Sequence, residues 1–211
     1  MMWKLWRQDD RGNEFLMRAF EDRQAAEEAR DAFAARGHHQ HYWVAERVGG
    51  VTVRPLRADE RGWLRETLTA RWGGEEVLGR GRSWRPGELA ALVAIEDRER
   101  VGIATYEVAG EEAELVTLDA LVTGRGAGRL LVDAVAAAAR SAGARRLTVM
   151  TTNDNLRALR LYQRAGFRFA ELRPGAIDAA RERKPSIPLV SNDGIPIRDE
   201  IDLVADLTPR T

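Results

Sequence analysis

Two stretches carry residue types and spacings suited to chemistry. In VTGRGAGRLLVDAV, residues 122–135, glycines 124, 126 and 128 stand directly before an apolar, alanine-rich run. Glycine permits positive φ and close backbone approach, and the first N–H groups of a helix lack internal partners. A strand, a glycine turn and a helix in that order therefore make an anion site. Further on, NDNLRALRLYQRAGFRF places Asn155, Ala158 and Tyr162 on one broad helical face. A ligand lying along it meets an amide, a small gap and a phenol.

Spacing narrows the anion. A dinucleotide fingerprint needs G-x-G-x-x-G, but its last position falls on Arg129 counted from Gly124, or on Leu131 counted from Gly126. A nucleotide phosphate loop needs Gly-Lys-Ser/Thr, whereas Gly128 precedes Arg129 and Leu130. S-adenosylmethionine methyltransferases place an acid two residues before the first glycine, whereas Asp119 lies five before Gly124. The strands ahead of the loop also read as a hairpin meander and do not alternate with helices.

The remaining pattern, Q/R-x-x-G-x-G/A, resembles the pyrophosphate motif of the GCN5-related N-acetyltransferase (GNAT) superfamily. Gly126 and Gly128 fill its glycine positions and Thr123 stands at the Gln/Arg position. The family's N-x-x-A-x-x-x-Y-x-x-x-G-F element is matched by Asn155, Ala158, Tyr162, Gly166 and Phe167. The resemblance covers residues 51–211 and implies an α/β fold with a mixed sheet. Its central strands, 113–122 and 145–151, would splay to admit the pantetheine arm of acetyl-CoA. Implied cofactor contacts come from the backbone of Leu118, Ala120, Leu121 and Val122, from the loop residues Gly124, Arg125, Gly126, Ala127, Gly128 and Arg129, and from Asn155, Ala158 and Tyr162. One N–H near Leu118 would hold the oxyanion.

The implied reaction is N-acetylation of a primary amine, on a small molecule or a protein, by direct attack in a ternary complex. Tyr162 would assist at the sulfur. Glu114 aligns with a carboxylate base used by some members; Asp119 competes, on the opposite strand face unless a bulge intervenes. Acceptor recognition falls to RWGGEEVLGRGRSWRPG and PLVSNDGIP. There Trp72 and Trp84 can wall a pocket, Glu75 and Glu76 can attract an amine, and Arg80, Arg82 and Arg85 can attract a carboxylate. A non-catalytic acyl-CoA sensor is the alternative, with a methyltransferase behind it.

The elements that must position these groups begin at Val51. VTVRPLR is a strand, Asp59 caps a helix through Thr69, and ALVAIED, RVGIATYEVAG and EEAELVTLDALV form an antiparallel meander. The glycine loop and its helix to about residue 142 follow. Then come a strand RRLTVMT, a helix over 153–165, a strand FRFAEL, a stretch broken by prolines 174, 185, 188 and 196, and a last strand RDEIDLVADL. Residues 1–48 read as a separate small ββαβ module, dense in Trp3, Trp6, Phe15, Phe20, Phe33, Tyr42 and Trp43. By pattern it resembles sporulation-related repeat modules, although it is shorter.

Across 211 residues, 33 basic and 33 acidic side chains cancel, which argues against a generic grip on nucleic acid or an anionic membrane. Cysteine is absent, which removes disulfides and thiolate catalysis and fits a cytoplasmic protein. Lys4, Arg7, Asp9 and Asp10 break any signal-peptide pattern, and the apolar run 130–139 carries Asp133 and is too short to span a bilayer. His38, His39 and His41 sit at a helix exit without a fourth ligand, so no metal is expected. The expected partner is the amine substrate; a homodimer is compatible with this reading.

Overall fold

The structure, a computed structural model, describes residues 2–8, 14–36, 40–47 and 50–208. The expected turn at Arg11-Gly12-Asn13, the helix stop at Gly37, His38, His39 and Gly49 of the expected boundary lie outside them. The first elements are β1 (Met2–Gln8), β2 (Glu14–Phe20), α1 (Arg23–Ala34) and β3 (His41–Arg47). The three strands form an antiparallel sheet in the order β2-β1-β3. Asp22 starts α1 by accepting the Ala25 N–H at 2.9 Å. Leu5, Trp6, Ala26 and Tyr42 are buried, Trp6 stacks on Trp43, and His41 stacks on Trp43 as well.

The remaining chain builds β4 (Thr52–Pro55), a 3₁₀ turn (Ala58–Glu60), α2 (Arg61–Trp72), β5 (Val77–Gly79), β6 (Arg82–Trp84), β7 (Ala90–Glu96), β8 (Glu99–Ala109) and β9 (Glu112–Ala120). After these come α3 (Ala127–Ser141), β10 (Arg146–Thr152), α4 (Leu156–Arg164), β11 (Arg168–Arg173), α5 (Ala176–Arg183) and β12 (Glu200–Asp206). A mixed seven-stranded sheet runs β11-β12-β10-β9-β8-β7-β4. The expected meander is β7-β8-β9, antiparallel throughout.

Two apolar clusters mark the two faces of this sheet. On one, Leu131, Val132, Val135 and Ala139 of α3 bury against Leu115, Leu147, Val149 and Leu203. On the other, Leu64 and Leu68 of α2 meet Ala91 and Ile103. The amphipathic period of each helix produces this division.

Three expectations are corrected. Asp59 does not cap α2: it lies inside the 3₁₀ turn, and buried Glu60 closes that turn by accepting the Arg57 N–H at 3.0 Å. The stretch broken by prolines contains α5, and the loop after α2 contains the β5-β6 hairpin. The strand β9 is also irregular: pairing passes from Thr105↔Thr117 to Tyr106↔Leu115, so Val116 is a bulge without a partner. The extra residue brings Glu114, Thr117 and Asp119 onto the same face of the sheet, the face that carries α2.

Candidate active site

The strands β9 and β10 are parallel and pair from Arg146↔Glu112 to Val149↔Leu115, where pairing stops although both strands continue. Beyond that point they open into a V. The bulge at Val116 adds twist to β9, while each strand stays tied to its outer neighbour, β9 to β8 through Gly102↔Ala120 and β10 to β12 through Thr152↔Glu200. Leu121 and Val122 both donate their N–H to the Val101 carbonyl, at 3.0 and 3.3 Å. Alternation then turns the backbone groups of Leu118 and Ala120 the other way, into the V.

From β9 the chain passes through a loop whose Gly124 and Gly126 hold φ of +75° and +73°. The helix α3 begins with no side-chain cap and no acid in its first turn. Its first internal bond is Leu130 N–H to Gly126 O at 3.3 Å, and the N–H groups of Ala127, Gly128 and Arg129 have no acceptor among the described residues. Open donors at the positive end of a helix dipole favour an anion. Arg125 is anchored to buried Glu96 at 3.1 Å. Arg129 bonds Asp133 at 2.8 Å and reaches the Arg164 carbonyl at 2.8 Å, tying α3 to α4. A Cβ on Gly102 would lie 2.9 Å from Leu131 Cδ1 and 3.1 Å from Ala127 Cβ, so only glycine lets α3 start flush against β8.

On α4, Asn155 caps the helix by accepting the Ala158 N–H at 3.1 Å. Tyr162 is 5% exposed, its ring lies 5.6 Å from that of Phe167, and its hydroxyl has no hydrogen-bond partner among the described residues. Burial first, and the charge of Asp119 second, push the phenol above the ordinary tyrosine range. It therefore remains a donor at any working pH.

The two carboxylates differ in their surroundings. Asp119 accepts from Arg71 Nε at 2.7 Å and Trp72 Nε1 at 2.8 Å, which pins the end of α2 to β9. Glu114 takes one bond, from Arg80 Nη1 at 3.4 Å, with Arg82 Nη1 at 4.0 Å. Burial raises the Glu114 pKa, Arg80 and Arg82 oppose the rise, Asp202 and Glu107 add to it, and the net direction is upward.

A splayed parallel pair, an uncapped glycine turn and a buried helical tyrosine thus occur together. The sequence profile of the acetyltransferase (GNAT) family matches residues 55–167. The chain belongs to the GNAT acetyltransferase family. It is 37% identical over 139 residues to YdhI of Bacillus subtilis (strain 168), a match covering 65% of this chain and 87% of that one. Its fold is similar to a Bacillus subtilis acetyltransferase in complex with CoA, with TM-score 0.53, 18% identity, and 76% of this chain and 100% of that one covered. A GNAT family acetyltransferase from Elizabethkingia anophelis with acetyl-CoA bound gives TM-score 0.54 at 18% identity, covering 74% and 98%.

In this GNAT acetyltransferase the residues expected at the acceptor are largely engaged with one another. Trp72 is 37% exposed with its indole on Asp119, while Trp84 is 5% exposed with its indole 3.4 Å from Glu107. Glu75 is exposed on the loop after α2, and Glu76 accepts the Ser83 hydroxyl at 3.0 Å. Arg80 faces Glu114 and Asp202, Arg82 faces Glu107, and the exposed Arg85 lies 3.9 Å from both Glu76 and Glu88. Sequence reading missed Arg71, Gly102, Lys184 and the pair Glu200/Asp202. Lys184 Nζ donates to the carbonyls of Trp72 and Glu76 at 2.7 and 2.8 Å, fastening the loop after α2 to the end of α5. The pair was readable, because residues i and i+2 of a strand share a face.

Proposed function

We propose that this acetyltransferase moves the acetyl group of acetyl-CoA to a primary amine of a small molecule or peptide, by direct attack in a ternary complex. The observation that carries the reading is the end of β9-β10 pairing at Leu115/Val149, with α3's unpartnered amides following directly from β9. The diphosphate of CoA meets the amides of residues 126–129, and its pantetheine arm takes the edge of β9 that β10 leaves unpaired, at Leu118 and Ala120. An N–H on that edge polarises the thioester carbonyl as charge develops on its oxygen.

An alkylammonium, with pKa of about 10, must first lose a proton. Glu114 takes it, since a buried carboxylate with raised pKa is a better match to neutral pH than an ordinary one. The amine lone pair then forms the C–N bond, the C–S bond breaks, and the second amine proton ends on the departing sulfur through solvent. Tyr162 donates a hydrogen bond to that sulfur. Full proton transfer from so weak an acid to a thiolate of pKa about 8.5 would be uphill, so stabilisation and not protonation is its role.

Thermal shifts with acetyl-CoA, S-adenosylmethionine and NAD test the cofactor: ligand at ~100 times its dissociation constant stabilises by ~2.7 kcal/mol. Thiol release from acetyl-CoA against amines, amino acids, polyamines, aminoglycosides and peptides then tests the reaction. A shift with S-adenosylmethionine alone, or cofactor binding with no thiol release across the panel, would reject it.

A further inference from the structure

Arg80 and Gly81 alone join β5 to β6, because Gly79 pairs with Arg82. Both sit at positive φ, 51° and 70°. Such two-residue turns select Asn-Gly or Asp-Gly, and a long side chain at the first position is strained. Such strain persists only where the surrounding contacts hold it. Arg80 donates its N–H to Glu200 Oε2 at 3.0 Å, its Nε to Asp202 Oδ1 at 3.0 Å and its Nη1 to Glu114 Oε2 at 3.4 Å. Glu200 and Asp202 are fixed in turn by Arg173, at 3.0 and 2.6 Å.

The charged groups that act on Glu114 come from three elements, Glu107 on β8, Asp202 on β12, and Arg80 with Arg82 on the hairpin, and behind them Glu200 and Arg173 bond to Arg80 and Asp202. Glu107 is engaged by Arg82 at 3.2 Å and Trp84 at 3.4 Å, and Arg173 by the two β12 acids. Arg80 is thus the one group among the described residues that hydrogen-bonds Glu114. The other carboxylate oxygen of Glu114 makes no hydrogen bond among them.

We propose that Arg80 is the positioning residue for Glu114: it holds the group as a carboxylate and fixes Oε2, so that Oε1 is presented to the acceptor's ammonium. This rests on the reading of Glu114 as base. A neutral buried carboxyl would not take the proton, and a rotated one would not reach it. The strained turn places the guanidinium where burial, with Asp202 and Glu107 adding to it, would otherwise drive Glu114 toward its protonated form.

The test uses the whole chain carrying [5-¹³C]glutamate, with the Glu114 resonance identified by its loss in Glu114→Gln. Arg80→Asn removes the guanidinium while suiting the turn, so the hairpin is kept, and Arg80→Lys restores charge without the fork. Glu114 should titrate at higher pH in Arg80→Asn and nearer wild type in Arg80→Lys. With the amine found in the thiol-release panel, the acidic limb of kcat/KM should move the same way. On that limb Arg80→Asn should lose roughly five- to tenfold beyond whatever the freed carboxylate costs on the alkaline plateau. An unmoved Glu114 titration, or a uniform fall of the whole profile, overturns the role of Arg80. If the resonance moves but the acidic limb survives in Glu114→Gln, Arg80 is the counter-ion of Glu114 and the base reading is what fails.

Discussion

Gly126→Ala separates what the glycine turn does for folding from what it does for a ligand. Gly126 holds φ of +73°, and a Cβ built there meets no atom within 4 Å. The folding cost is then backbone strain alone, about 1–2 kcal/mol for a left-handed alanine. For a chain of this size that lowers Tm by about 2–8 °C. The same open space is where a diphosphate would lie, so the methyl costs at least one charged hydrogen bond worth about 1.5–3 kcal/mol, a roughly tenfold to hundredfold loss of CoA affinity. Gly143→Ala is the control: it also holds a positive φ, +95°, a Cβ built there meets no atom within 4 Å, and it lies past the far end of α3, so it carries the same kind of backbone strain away from the turn. Scanning fluorimetry of the free proteins and calorimetric titration with CoA read the two effects. A Gly126→Ala protein that binds CoA within about twofold of wild type would refute the clasp, and a much larger Tm loss would refute the open space.

Tyr162→Phe keeps the packing against Phe167 and should lower kcat by roughly ten- to a hundredfold, the worth of one hydrogen bond to a developing thiolate, while CoA affinity in the same titration stays near wild type. Asp119→Asn should hold kcat within about tenfold, because both oxygens already serve Arg71 and Trp72; a fall of ~10²-fold or more in steady-state rates would make Asp119 the base instead. Glu60, 3% exposed, is bonded by Arg54 at 2.7 and 2.9 Å and by Arg100 at 3.0 Å. Glu60→Gln leaves those cations unpaired and should cost about 1–3 kcal/mol in denaturant melts, less than a fully buried pair because both arginines reach water. Arg54 chiefly holds the Glu60 carboxyl well below the usual range. A depressed folded pKa gives stability that is complete above the unfolded value of about 4.3 and is lost as pH falls below it. Wild type should therefore lose more Tm than Glu60→Gln between pH 6 and pH 3.

What the sequence made legible follows from how local each signal is. The glycine turn and the α4 face were readable because the residues that set them lie within a few positions of one another, and the meander because alternation and turn residues repeat. The helix α5 was hidden by Pro174 and Pro185, which were read as breakers. Proline just before a helix start and just after its end is instead what delimits one, and Gly175 caps α5 from a φ of 72°. The hairpin β5-β6 was missed because its turn carries Arg80, a residue that turn chemistry does not select. The bulge had no sequence signal at all. Val116 reads as an ordinary strand residue, and only its pairing against β8 sets it out of register. Yet that residue governs the site. Without it, Glu114 and Asp119 would point to opposite faces, the α2 face would lose one of its acids to the α3 core, and β9 would have less reason to turn away from β10. A strand with perfect alternation would have built a flatter sheet there, with no gap for a thioester to enter.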